Sequence, residues 1–106
     1  MKKICVVLVT VDKMVAAKKI TDAILKERLA ACVNIIENVK SHYWWKGKIE
    51  SAKEVLLIIK TGKREIENLI KLVKKIHPYT VPEIIAYEII KGNKDYINWV
   101  IAETKK

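Results

Sequence analysis

Apolar residues follow two different spacings in the first third of the chain. The segment from Ile4 to Val11 is an apolar run rich in β-branched residues, which is typical of a strand buried on both faces. After Asp12, a good helix N-cap, apolar residues recur at helical spacing up to about Leu29 or Ala30. The pattern therefore predicts a buried strand followed by an amphipathic helix.

A long β-hairpin is predicted next, from Cys32 to Thr61. Apolar and polar residues alternate as far as Trp45, and the interruption at 36–38 is typical of a β-bulge. Lys46 and Gly47 supply a tight turn, and a second strand follows from Lys48 to Lys60.

The tip of this hairpin is unusually aromatic, because it contains Tyr43, Trp44 and Trp45. Exposed apolar surface of this extent usually marks an interface. We therefore expect the hairpin to contact another subunit in a homo-oligomer.

The last third of the chain predicts a helix, a strand and a final helix. The second helix must stop near His77, because Pro78 follows it. A fourth strand is predicted from Glu83 to Ile90, and Asn93 is expected to cap the last helix. The order β-α-β-β-α-β predicts one α+β domain over residues 1–106, with a ferredoxin-like, four-stranded antiparallel sheet and a C-terminal helix.

Charge and composition exclude several classes of protein. The net charge of +9 comes from 21 Lys and Arg against 12 Asp and Glu, and the lysines are spread along the whole chain. Together with many Ile and no Gln, this resembles a thermophile's composition more than a nucleic-acid interface. The first strand also lacks the aromatic residues that RNA-recognition motifs use for stacking. No apolar run reaches the ~18 residues of a membrane span.

Candidate chemistry is sparse in the sequence. Two cysteines without a C-x-x-C motif indicate reduced thiols in the cytoplasm. His77 is the best candidate ligand for copper or zinc and Cys32 is a second one, although a helix-terminal hydrogen bond and a small core cysteine are the structural alternatives. A Cys32–His77 nucleophilic pair lacks an orienting third group, so we expect no enzymatic activity.

Four blocks of residues, spread over nearly the whole chain, resemble the CutA family of divalent-cation tolerance proteins. The first block is 27–34, Glu-Arg-Leu-Ala-Ala-Cys-Val-Asn, and the second is the pattern Ser-x-Tyr-x-Trp-x-Gly-x-Ile at 41–49, followed by Glu54 and by Lys60-Thr61. The third is His-Pro-Tyr-x-Val-Pro-Glu-Ile at 77–84, and the fourth is Asp-Tyr-x-x-Trp at 95–99.

The resemblance implies a cytoplasmic homotrimer that is associated with copper and other divalent metals and has no defined reaction. It also implies that the hairpin reaches onto a neighbouring subunit. Copper ligands assigned in bacterial members fall here on Val9 and Ile76, whose side chains cannot ligate a metal, and on His77, whose imidazole is a ligand type, so the resemblance does not carry that ligand set over intact. Cys32 matches a family cysteine.

The alternative function is a trimeric small-molecule sensor, by analogy with the PII signalling proteins. In that case an intersubunit cleft is expected to be lined by six residues, which are Tyr43, Trp45, Glu54, Lys60, Tyr79 and Glu83.

Overall fold

In the computed structural model, which describes residues 3–104, four strands form one antiparallel sheet. In chain order they are β1 (Ile4–Val11), β2 (Cys32–Trp45), β3 (Lys48–Gly62) and β4 (Ile84–Glu88). Across the sheet the order is β2-β3-β1-β4, so β3 and β1 are the central strands. Two helices connect β1 to β2 and β3 to β4, and the predicted ferredoxin-like fold is therefore confirmed.

Three helices complete the chain. They are α1 (Met14–Lys26), α2 (Ile66–Ile76), which a 3₁₀ turn at Lys63–Glu65 precedes, and α3 (Lys94–Glu103). α2 stops at His77 as predicted. The Asn93 side chain accepts a hydrogen bond from the Asp95 N–H, which confirms the predicted cap of α3.

The predicted limits of α1 were wrong at both ends. Lys13 rather than Asp12 occupies the N-cap position, and no side chain caps this end. The helix also ends before Leu29, because Arg28 adopts a left-handed conformation with φ of 57°. The amides of Arg28 and Leu29 then bond back to the carbonyls of Leu25 and Ile24, which is the Schellman arrangement usually formed around glycine.

The main core lies between the sheet and the pair α1 and α2. Alternate residues of β1 and β3 point into it, and the facing helices contribute large aliphatic side chains. Burying each such side chain stabilises the fold by about 2 kcal/mol. The fully buried members are Val7, Val9, Val11, Leu57 and Ile59 from the sheet, and Ile20, Ile24, Leu69 and Val73 from the helices.

The opposite face of the sheet is covered only in part. α3 packs against it near Gly62, where a Cβ atom would lie 3.2 Å from the Thr104 hydroxyl oxygen. Further along the same face, Ile85 and Tyr87 of β4 are each 53% exposed. The C-terminal helix therefore leaves much of this apolar face uncovered within one chain.

The predicted hairpin is present, with both of its expected irregularities. Lys46 and Gly47 both have positive φ, as a two-residue hairpin turn requires. The register of β2 against β3 shifts between Ile36 and Val39, which confirms the predicted bulge. Residues 39–54, here called the outer hairpin, extend beyond the end of β1, where Val11 pairs with Val55.

The last strand is shorter than predicted, since β4 ends at Glu88 and not at Ile90. Within residues 3–104 its only neighbour in the sheet is β1, which begins at Ile4. The Ile89 amide still bonds to the Ile4 carbonyl, and beyond that point β1 offers no further partner.

Candidate ligand cleft

A cleft of about 580 Å³ lies where β1 ends and the outer hairpin continues without it. The end of β1 and the outer hairpin form two of its walls. The connection from α2 to β4, residues 77–83, forms the third. Apolar and polar groups share its surface. This cavity is called the cleft below. Its lining residues are Thr10, Ser41, His42, Tyr43, Trp45, Glu54, Tyr79, Val81 and Glu83.

His77 anchors the wall formed by residues 77–83. Its Nε2 atom lies 2.8 Å from the Thr10 carbonyl oxygen, and its Nδ1 atom lies 3.1 Å from the Tyr79 amide nitrogen. A carbonyl only accepts and an amide only donates, so the ring carries its proton on Nε2 and is neutral. Nε2 therefore holds this segment against the end of β1, while Nδ1 fixes the turn within the segment itself.

A second contact joins the same wall to β3. The Tyr79 hydroxyl donates to Glu54 Oε2 at 2.7 Å, and the two rings of Tyr79 and His77 meet edge to face, with centroids 4.7 Å apart. Burial first, and then the hydrogen bond and charge of Glu54, raise the pKa of Tyr79 well above its ordinary value. Tyr79 therefore stays a neutral donor, and Glu54 is the anionic acceptor.

The cleft is negatively charged although the chain as a whole is strongly basic. Glu54 is only 7% exposed, and Glu83 lies close enough for a long, 3.4 Å contact with the Thr10 hydroxyl. The lining includes two carboxylates and no Lys or Arg. Within residues 3–104, the Lys and Arg ion pairs involve other carboxylates, those of Glu65, Glu88 and Glu103.

The structure brings together most of the residues predicted for an intersubunit cleft. Tyr43, Trp45, Glu54, Tyr79 and Glu83 all line it. Lys60 does not, because it lies further along β3, where its ammonium group contacts the side-chain oxygen of Asn34.

Sequence reasoning missed four of the lining residues. His42 is one of them, an exposed residue of β2 that also lines the cleft. Thr10, Ser41 and Val81 were not considered for this site at all. A usable signal existed for Ser41 and Val81, since both belong to the family-like blocks that contain Tyr43 and Tyr79.

Cys32 and His77, the predicted metal ligands, lie in separate neighbourhoods of one chain. Cys32 is opposite Lys60 in the sheet and lies near Tyr96 of α3, whose pKa is raised by burial and then by Cys32. His77 lies instead beside Thr10, near the other end of β1. A metal site that used both residues would need ligands from more than one subunit.

The described part of the chain does not fit a metal site within one subunit. No group of three or more His, Cys, Asp or Glu side chains converges in residues 3–104. Neither nitrogen of His77 has a free lone pair for a metal in this arrangement.

None of the helices within residues 3–104 is long and apolar enough to cross a membrane.

Known proteins resemble this chain over almost its whole length. A divalent-cation tolerance protein CutA from Thermus thermophilus is 44% identical over 99 residues, covering 93% of this chain and 96% of that protein. A chloroplastic CutA protein of rice is 45% identical over 101 residues, and these make up 57% of its longer chain.

Solved structures agree with the sequence comparison. The divalent cation tolerance protein of Thermus thermophilus superimposes with a TM-score of 0.92 at 43% identity, covering 99% of this chain and all of that one. Residues 5–103 match the family described as CutA1 divalent ion tolerance protein. The sequence, the fold and these matches agree, and the chain belongs to the CutA1 family of divalent ion tolerance proteins.

Proposed function

We propose that this protein acts in divalent-cation tolerance as a homotrimeric binding protein, and that the cleft is its ligand site. The observation that carries the proposal is the Glu54–Tyr79 hydrogen bond, which is held in place by His77 at the back of an accessible cavity. A buried carboxylate in a cleft that is already shaped by hydrogen bonds is typical of a binding site. We propose binding without a chemical reaction, because the relatives are named as tolerance proteins and not as enzymes.

The proposal of a homotrimer rests on surface that one chain leaves uncovered. Ile85 and Tyr87 are exposed on the face away from α1 and α2, and the outer edge of β4 has no partner strand in residues 3–104. The exposed aromatic tip of the hairpin adds to this surface. Burying such a face against other copies of the chain removes both the apolar surface and the free strand edge.

Light scattering tests the assembly directly. We expect a mass three times that of the 12.2 kDa chain. A monomer at micromolar concentration contradicts the trimer.

Ligand binding is tested by thermal melting against a panel of metabolites and metal ions. We expect at least one small molecule to raise the melting temperature of the wild type and not that of Trp45→Ala. Trp44→Ala is the matched control, because Trp44 is the adjacent residue of the same type and does not line the cleft. If no compound shifts the wild type, the proposal for the cleft fails.

Direct copper binding through His77 and Cys32 is the second candidate, and it would require the two residues to come from different subunits and His77 to give up a backbone hydrogen bond. Imidazole and thiolate are the ligand types that copper prefers, and the relatives are named for divalent-cation tolerance. Copper titration by calorimetry should be run on the wild type, on His77→Ala and on Cys32→Ser. Equal affinity in all three proteins removes both residues as ligands.

We also propose a cytoplasmic location. Cys5 is buried and Cys32 is half-buried, and both are free thiols, as expected in a reducing compartment. Fractionation of the source cells, with an antibody against the chain, tests this location. Recovery in a membrane or exported fraction contradicts it.

A further inference from the structure

We propose that the cleft selects an organic cation, a protonated or quaternary amine, in preference to an anionic metabolite or a bare metal ion. This inference rests on the proposed function, since it assumes that the cleft is the ligand site. Three independent features of the lining support it, namely charge, a free carboxylate oxygen and aromatic rings.

The first feature is the sign of the charge around Tyr79. Besides burial, the groups that raise the pKa of this phenol are Glu54, Asp12 and Tyr43, each of which is anionic or becomes so at high pH. The lining itself contains two carboxylates and no Lys or Arg, although the Lys46 ammonium lies over the ring of Trp45. Around Tyr79 the cleft is therefore negative in a chain of net charge +9, and it attracts cations there.

The second feature is the free oxygen of the Glu54 carboxylate. The residue is 7% exposed and its Oε2 atom accepts from Tyr79, whereas its Oε1 atom has no hydrogen-bond partner in residues 3–104 and is not fully buried. This oxygen is therefore an accessible acceptor on an otherwise buried side chain, and a cationic ligand in the cleft could bind beside it.

The third feature is the aromatic part of the lining. Tyr43, Trp45 and Tyr79 surround the carboxylates, and faces of such rings attract ammonium groups. Trp45 already makes a contact of this kind, since the Lys46 ammonium nitrogen lies 5.9 Å from the centre of its ring.

Size and ligand number favour an organic cation over a metal ion. In residues 3–104 no group of three or more His, Cys, Asp or Glu side chains converges, and one of the two carboxylates of the cleft already accepts from Tyr79. A bare divalent ion would therefore depend largely on water for its ligands. A volume of about 580 Å³ fits a small molecule with an apolar body.

Choline and its neutral carbon isostere 3,3-dimethylbutan-1-ol provide the test. Calorimetry in a phosphate buffer, which contains no competing amine, should be run with both compounds and with tetramethylammonium and putrescine. We expect choline to bind at least about tenfold more tightly than the isostere, because only choline is charged.

Two variants locate the binding. Glu54→Gln keeps the size of the side chain and an acceptor for Tyr79 but removes the charge, and it should weaken choline binding about tenfold. Glu67→Gln makes the same change in net charge at an exposed position on α2, away from the cleft, and should leave binding unchanged. Circular dichroism confirms that both variants are folded.

Each outcome is decisive. Equal binding of choline and its isostere, or no binding of any of the three amines at millimolar concentration, overturns the inference. If anionic compounds or Mg²⁺ bind in the cleft and the amines do not, the inference fails while the cleft remains a ligand site. If nothing binds to the wild type, the proposed function fails as well.

Discussion

The two halves of β3 have the same strand geometry and opposite surroundings. From Val55 to Gly62 the strand lies between β2 and β1, and alternate side chains are fully buried. From Lys48 to Glu54 it pairs with β2 alone, and most side chains are exposed. The inner half is stabilised by the core of its own chain, whereas the outer half extends beyond that core, and its last residue, Glu54, lines the cleft together with residues of β2.

This contrast separates the residues that stabilise the fold from those available for binding. Leu57 and Ile49 are both large aliphatic residues on β3, but they are 0% and 67% exposed. Glu54 lies at the boundary, next to the last residue that pairs with β1. Glu54 therefore separates the buried half of β3 from its exposed half.

The largest effect is expected in the inner half. Leu57→Ala removes a fully buried side chain from the centre of the sheet and leaves a cavity, so it should lower the free energy of unfolding by about 3 kcal/mol. Urea denaturation at fixed protein concentration measures this loss. A loss below about 1 kcal/mol would mean that the core relaxes around the site.

An intermediate effect is expected at the boundary. Tyr79→Phe removes the donor to the Glu54 carboxylate and should lower the free energy of unfolding by about 2 kcal/mol, because a buried charge loses its partner. Tyr87→Phe is the matched control, because Tyr87 is 53% exposed, and it should change little. Equal losses in the two variants would contradict a special role for the Glu54 contact.

The raised pKa of Tyr79 predicts that the protein loses stability at alkaline pH. The pKa of Tyr79 is higher in the folded chain than the ordinary value of 10.0, so above that pH the unfolded chain loses this proton first. Stability should therefore be complete below about pH 10 and fall as the pH rises, by up to about 1.4 kcal/mol per pH unit.

Comparison of the wild type with Tyr79→Phe isolates this alkaline effect. Tyr96, whose pKa is also raised, contributes equally to both proteins. Urea denaturation between about pH 9 and pH 11 should show the steeper decline in the wild type. Parallel declines would show that Tyr79 ionises as easily in the folded chain as in the unfolded one.

The smallest effect is expected in the outer half. Ile49→Ala removes a side chain that is mostly exposed within one chain, so the change in free energy of unfolding should be below about 0.5 kcal/mol. The measurement is again urea denaturation at fixed protein concentration, with Leu57→Ala as reference. A loss close to that of Leu57→Ala would mean that Ile49 is buried by another subunit.

Most of the fold could be predicted because its signals are local. The bulge near Asn38 and the turn at Lys46 and Gly47 follow from breaks in alternation and from turn chemistry. The end of α1 could not be predicted in the same way. Arg28 takes the left-handed position that usually requires glycine, and its side chain is held by Glu103 of α3, far away in the sequence.

The candidate site was less predictable, because its members come from distant parts of the chain. Residue types indicated Tyr43, Trp45, Glu54, Tyr79 and Glu83, but the same reasoning also included Lys60, which lies too far along β3. For His77, the residue type alone leaves both a metal ligand and a structural hydrogen bond open. In the structure both of its nitrogens are bonded to backbone groups.

The sequence by itself determined the order and type of the elements, because hydrophobic periodicity and turn residues act over a few neighbouring positions. The blocks it shares with relatives also determined the family. Only the tertiary structure decided which side chains meet in the cleft. The contacts of Thr10 with His77 and of Glu54 with Tyr79 depend on where β1 stops beside β3, and that is set by packing of the whole core.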